Sequence, residues 1–132
     1  MKKRFIVLIL CLLLLSPVAI SAQELEEPLV LGLSKDFGYA AAGQIQGSFS
    51  LKVRSPDDLV RVEFYIDDQL VHSATPPPFQ FKFNTAEYSF GEHTFSAVGF
   101  RSDNSMLSSS EFSRQFISAD DAWKNVGKLV VP

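Results

Sequence analysis

The sequence predicts an all-β protein: a sandwich of about seven short strands, behind an N-terminal signal peptide and ahead of a short C-terminal helix. Two observations carry this. Val60, Val62, Phe64 and Ile66 alternate with Arg61, Glu63 and Tyr65, the period-two pattern of a half-buried strand. Phe79, Phe81 and Phe83 alternate with Gln80, Lys82 and Asn84 in the same way. Each strand presents one apolar face that is unstable in water alone, so the two faces are expected to meet across a core.

At the amino terminus, Lys2, Lys3 and Arg4 precede an unbroken apolar run from Phe5 to Leu15, ended by Ser16-Pro17. The run is too short to span a bilayer comfortably, which favours a secretory signal, residues 1–22, over an uncleaved anchor. Cleavage after Ser21 satisfies the small-x-small rule, while cleavage after Ala22 leaves the polar Gln23-Glu24 at the new terminus; Ala22 is preferred. Cys11, the single cysteine, lies inside the run without the small residue before it that lipidation needs. The mature chain is therefore expected to be exported, free of disulfides and stabilised by packing alone.

Removing the signal leaves nine basic residues against 15 acidic ones, a net charge of −6. That balance argues against nucleic acid and against anionic lipid as partners.

Residues 23–43 read as a lead-in. Within them Leu29 to Leu33 are a possible edge strand, and Ser34 to Gly43, rich in glycine and alanine, read as a flexible loop. From Gln44 to Arg54, Ile45, Phe49, Leu51 and Val53 alternate with polar residues; Gly47 falls on the apolar side and marks a bulge or a close strand contact. Ser55 to Asp58 is a turn. Asp67-Asp68 breaks the central strand, Gln69 to Ser73 returns, and Pro76 to Pro78 force a crossing because proline cannot donate to a ladder. Thr85 to Glu92 is a loop whose Tyr88 and Phe90 are expected to plug one end of the sandwich. His93 to Phe100 is the next strand, with Phe95 and Ala97 on one face and Val98 and Phe100 on the other. Ser102 to Ser110 is a polar turn, and a closing strand holds Phe112 and Phe116. The expected core is Phe49, Leu51, Val62, Phe64, Phe81, Phe83 and Phe95. Short strands at this spacing suit a single sandwich of the immunoglobulin type over residues 44–117.

Several pieces then match a known family: Gly47, Val62-Glu63-Phe64-Tyr65-Ile66-Asp67, Pro78-Phe79, Phe83-Asn84-Thr85, and Gly91-Glu92-His93-Thr94-Phe95 with Ala97 beyond. From Gln44 to Phe116 the chain resembles the bacterial immunoglobulin-like domains of exported and cell-surface proteins. The resemblance implies that fold and an extracytoplasmic setting, in proteins where such domains act as spacers, adhesion modules or accessory domains. It departs at the hairpin, where Asp67-Asp68 replaces the family's Asp-Gly, and it lacks the cysteine pair and core tryptophan of antibody domains; Trp123 lies after the last strand.

No catalytic constellation assembles around His72 and His93, and the serines cluster in turns, so no catalytic residue is assigned and no enzyme activity is expected. The pairs Asp57-Asp58, Asp67-Asp68, Asp103-Asn104 and Asp120-Asp121 lack the spacing of a calcium loop and read as turn formers, so no metal or cofactor is expected. The candidate ligand-contact residues are Tyr65, Tyr88 and Phe100, as exposed aromatic platforms. Two functions follow: a non-catalytic interaction or spacer module facing a protein or cell-envelope partner, or a small carbohydrate-binding module.

Residues 118–132 complete the reading. Ser118-Ala119-Asp120-Asp121 has the form of a capped helix start, with Ala122, Trp123 and Val126 on one face. The apolar ending Leu129 to Pro132, behind a tryptophan and lysines, is expected to approach a membrane span in a longer chain.

Overall fold

A computed structural model describes residues 29–54 and 58–130, with the side chains of 129 and 130 left aside. The expected signal peptide, most of the turn expected at Ser55 to Asp58 and the end of the apolar tail lie outside the described residues. Eight strands are present among those described: β1 (Val30–Ala41), β2 (Gln44–Arg54), β3 (Leu59–Ile66), β4 (Gln69–Ala74), β5 (Gln80–Asn84), β6 (Gly91–Arg101), β7 (Met106–Ser108) and β8 (Phe112–Phe116), followed by one helix, α1 (Ala119–Val130).

One layer runs β1-β2-β5 and the other β8-β6-β3-β4, with β7 on β6. They join where β2 meets β8 in parallel at Gln44↔Gln115 and Ile45↔Phe116. The fold is an immunoglobulin-like sandwich. Its centre is aromatic. Phe83 lies 6.2 Å from Phe49, 5.6 Å from Phe95 and 6.0 Å from Phe116, ring centre to ring centre. Six of the seven expected core residues are buried, and Phe81 is half-buried at the margin against His72.

Four expectations need correction. The stretch read as a loop, Ser34 to Gly43, continues β1 as far as Ala41, paired with β2 down to Ala41↔Gln44. Low strand propensity there is overridden by the ladder that β2 offers. A bulge between Lys35 and Phe37 absorbs the irregularity, and Asp36 accepts a 2.6 Å hydrogen bond from Ser50 Oγ. Further along, Gly38 faces Gly47. A Cβ on Gly47 would stand 2.3 Å from the Phe37 carbonyl oxygen, so the close strand contact expected at Gly47 is real and excludes any side chain.

Val60 does not face inward. The register of β3 on β6 shifts between Leu59 and Arg61, so Leu59 takes the buried place and Val60 is exposed. Of the two loop aromatics, Tyr88 plugs the core edge-on to Phe83 and Phe116, whereas Phe90 stands 70% exposed. The segment Ser102 to Ser110 also holds β7, which pairs with β6 at Phe100↔Met106.

Asp67 and Asp68 adopt φ of 52° and 61°, the two left-handed positions of a two-residue hairpin turn, without the glycine that usually relieves them. In α1, Ser118 caps the helix by accepting from the Asp121 N–H at 3.1 Å, and the helix passes through Gly127.

Candidate functional site

Tyr65 and Phe100 share the outer face of the β3–β6 ribbon, because Tyr65↔Ser96 and Arg61↔Phe100 are cross-strand pairs of one register. They are not neighbours; four residues along a strand separate them, roughly 13 Å. Between them runs a chain of contacts internal to the sheet. The Arg61 guanidinium lies 4.1 Å over the Phe100 ring, its Nη2 is 3.7 Å from Glu63 Oε1, and Glu63 Oε2 accepts a 2.6 Å hydrogen bond from the Tyr65 hydroxyl. That hydrogen bond, with lesser contributions from burial and the Glu63 charge, raises the Tyr65 pKa above its ordinary value. Tyr88 belongs elsewhere, in the aromatic plug at the sandwich end. Burial first, then the charges of Glu87 and Asp67, raise its pKa. The three candidates therefore do not form one site.

A different aromatic group does gather. Between the β1–β2 hairpin and α1 runs a groove of roughly 520 Å³, lined among others by Phe37, Tyr39 and Gln46 from the hairpin and Ala122, Trp123 and Val126 from the helix, with Lys35 and Asp36 also on its wall. Phe37 is 80% exposed and Trp123 73%. The helix is held there by buried Ala122 and by a 2.9 Å hydrogen bond from Asn125 Nδ2 to Gln44 Oε1. Ala122, Trp123 and Val126 do share a face, but only Ala122 is covered by the sandwich. Trp123 was legible as lying outside the core. Phe37 was hidden because its segment read as a loop, and no local pattern marks the two as neighbours.

Several other polar residues serve the fold. Asp58 pairs with Arg101 at 2.6 Å, and Asp103 accepts from the Ser105 N–H at 2.9 Å. His93 is buried at the head of β6. Its Nδ1 lies 2.6 Å from Asp67 Oδ2 and its Nε2 2.7 Å from the Ser89 carbonyl oxygen. Burial pulls the imidazole pKa down, but the Ser89 carbonyl and the hydrogen bond and charge of Asp67 outweigh it, leaving the pKa above the usual histidine value. Desolvation opposes ionisation of Asp67, and the Thr94 N–H and His93 reverse it, leaving that carboxyl below its usual range. Among the described residues no cluster of His, Cys, Asp and Glu has the form of a metal site, and no helix is long and apolar enough to cross a membrane.

Residues 41–97 match the family described as the bacterial Ig domain. No curated protein matches the chain. Among solved structures, a polysaccharide deacetylase from Bacillus cereus matches at 15% identity and a TM-score of 0.51, covering 67% of this chain and 30% of its own. The fibronectin(III)-like modules of Clostridium thermocellum CbhA match at 16% identity and 0.45, covering 67% of this chain and 94% of theirs. The spore cortex lytic enzyme SleM of Clostridium perfringens matches at 10% and 0.48, covering 68% and 28%. At such identities the likeness concerns the fold.

Proposed function

We propose, from a chain whose residues 41–97 match the bacterial Ig domain, that this protein is a non-catalytic interaction or spacer module working outside the cytoplasmic membrane. Bacterial Ig domains typically occur in exported and cell-surface proteins, and the basic-then-apolar start from Lys2 to Leu15 supports the same setting here. The observation that carries an interaction role is the groove beside α1, whose rim holds Phe37 and Trp123 in water while Ala122 beneath is buried. Large apolar side chains gathered on one exposed edge are the usual mark of a contact surface. His93 is buried, with both ring nitrogens on groups of the fold, which supports the non-catalytic reading.

The partner on this reading is a protein of the cell envelope. A photo-crosslinking residue placed at Phe37 is expected to give a discrete protein adduct in intact cells, absent when it is placed at the exposed Met106, on β7 at the opposite end of β6. Equal adducts from both positions, or retention of the protein in the cytosol with Met1 to Ala22 intact, would overturn the reading.

A second reading is favoured by the make-up of the groove. Phe37, Tyr39 and Trp123 with Asp36 and Gln46 combine ring faces and hydrogen-bonding groups, the combination a polysaccharide chain requires, and they do so better than the separated Tyr65, Tyr88 and Phe100. Trp123 is the single tryptophan, so its emission reports the groove directly. A saturable blue shift on adding soluble cell-wall polysaccharide, lost in Asp36→Ala, would favour sugar over protein.

A further inference from the structure

We propose that His93 is a proton-operated clasp, which in its doubly protonated form ties the β3–β4 turn to the loop ahead of β6 and on losing a proton releases the Ser89–Phe90 end of that loop. The geometry points to it. Ser89 offers a carbonyl oxygen and Asp67 a carboxylate, so both ring nitrogens of His93 face acceptors, at 2.7 and 2.6 Å. A neutral imidazole carries one N–H, and would set a lone pair against one of those oxygens. The ring cannot swing away cheaply. Its side chain is 8% exposed, and it packs against Phe116 at 4.2 Å and the edge of Tyr88 at 5.9 Å.

The Ser89 contact is the one that yields. Asp67 is held independently: its Oδ1 accepts from the Thr94 N–H at 3.0 Å, and its own N–H donates to the Thr94 carbonyl at 2.9 Å. A charged acceptor also keeps the remaining N–H on Nδ1. At the start of the loop, Asn84 Oδ1 accepts from Ala86 N–H at 2.9 Å, Thr85 Oγ1 accepts from Gly47 N–H at 2.9 Å, and Tyr88 N–H donates to the Thr85 carbonyl at 3.2 Å. Those contacts stop at Tyr88. Ser89 and Phe90 beyond them are tied by the clasp, and Phe90 is exposed.

Other titratable groups surround the ring without replacing Asp67. Tyr88 stands edge-on from the loop, and Glu87 lies beside it. Arg114 is the cross-strand partner on β8, but its guanidinium lies 5.0 Å over Phe112. Glu92, the preceding residue on β6, is exposed.

The sign follows from linkage. The clasp is fully made below the ordinary histidine value of about 6.5 and is lost as pH rises through the higher folded-state value. The loop is therefore ordered in mildly acidic surroundings and released in alkaline ones.

Side-chain nitrogen NMR on the intact protein tests this. Both nitrogens of His93 should carry protons at about pH 6, and His93 should titrate above about 6.5. The Ser89, Phe90 and Gly91 amides should shift with the same midpoint. Asp67→Asn, which keeps a side chain tolerant of the left-handed turn, should lower the midpoint by about one pH unit or more. A singly protonated ring at about pH 6, loop amides indifferent to the titration, or an unmoved midpoint in Asp67→Asn would each overturn the proposal.

Discussion

Truncating Phe83 to alanine is the sharpest test of how the sandwich is held. Its ring, at the inner face of β5, touches the rings of Phe49, Phe81, Tyr88, Phe95 and Phe116, all with centroids between 5.6 and 6.2 Å. Returning that ring to water costs about 2 kcal/mol. The surroundings are strands from both layers, locked by their ladders, so collapse is limited and a cavity of roughly 80–100 Å³ remains, adding about 2 kcal/mol at ~24 cal/mol per Å³. The expected loss is about 4 kcal/mol. A small single domain has about 5–15 kcal/mol in total, and with one cysteine in the chain no internal disulfide supplements it. Urea unfolding followed by circular dichroism should show the midpoint falling by about 2–3 M at a slope of about 1.5 kcal/mol per M. Phe81→Ala, at the half-exposed margin, should cost about half as much, and Phe90→Ala under about 0.5 kcal/mol. A loss below about 1 kcal/mol at Phe83, or an equal loss at Phe90, would refute the assignment of faces along this segment.

Asp68→Gly should stabilise the protein by about 0.5–1 kcal/mol, since φ of 61° suits glycine; a lower melting temperature would show that the Asp68 side chain contributes more than the turn strain costs. Gly47→Ala should destabilise by about 2–3 kcal/mol, because the new Cβ collides with the Phe37 carbonyl and forces β1 away from β2; thermal melts decide it. Ser118→Ala should remove about 1 kcal/mol from the first turn of α1, read as faster exchange at the Asp121 amide with little change at β6. Trp123→Ala should change unfolding stability by less than about 0.5 kcal/mol, as its ring is mostly in water.

Much of the sandwich was legible in the sequence because an amphipathic strand writes its burial at period two. Phe49 and Leu51, Val62 and Phe64, and Phe83 and Phe95 could be assigned to the core from alternation alone, since either neighbour in each strand is polar. The helix start at Ser118 was equally local, a matter of one side chain and the N–H three residues on. What depended on partners was not written locally. Residues 34–41 carry no strand pattern and become one because β2 supplies hydrogen-bonding groups along their whole length. Val60 and Leu59 exchange faces through a bulge set by β6, and no count along β3 reveals a register fixed by another strand. The groove joins Phe37 to Trp123 across 86 positions of sequence, and the clasp joins Asp67 to His93 across 26. Local chemistry determined which residues leave water; the pairing of distant strands decided which of those left at the surface came to stand together.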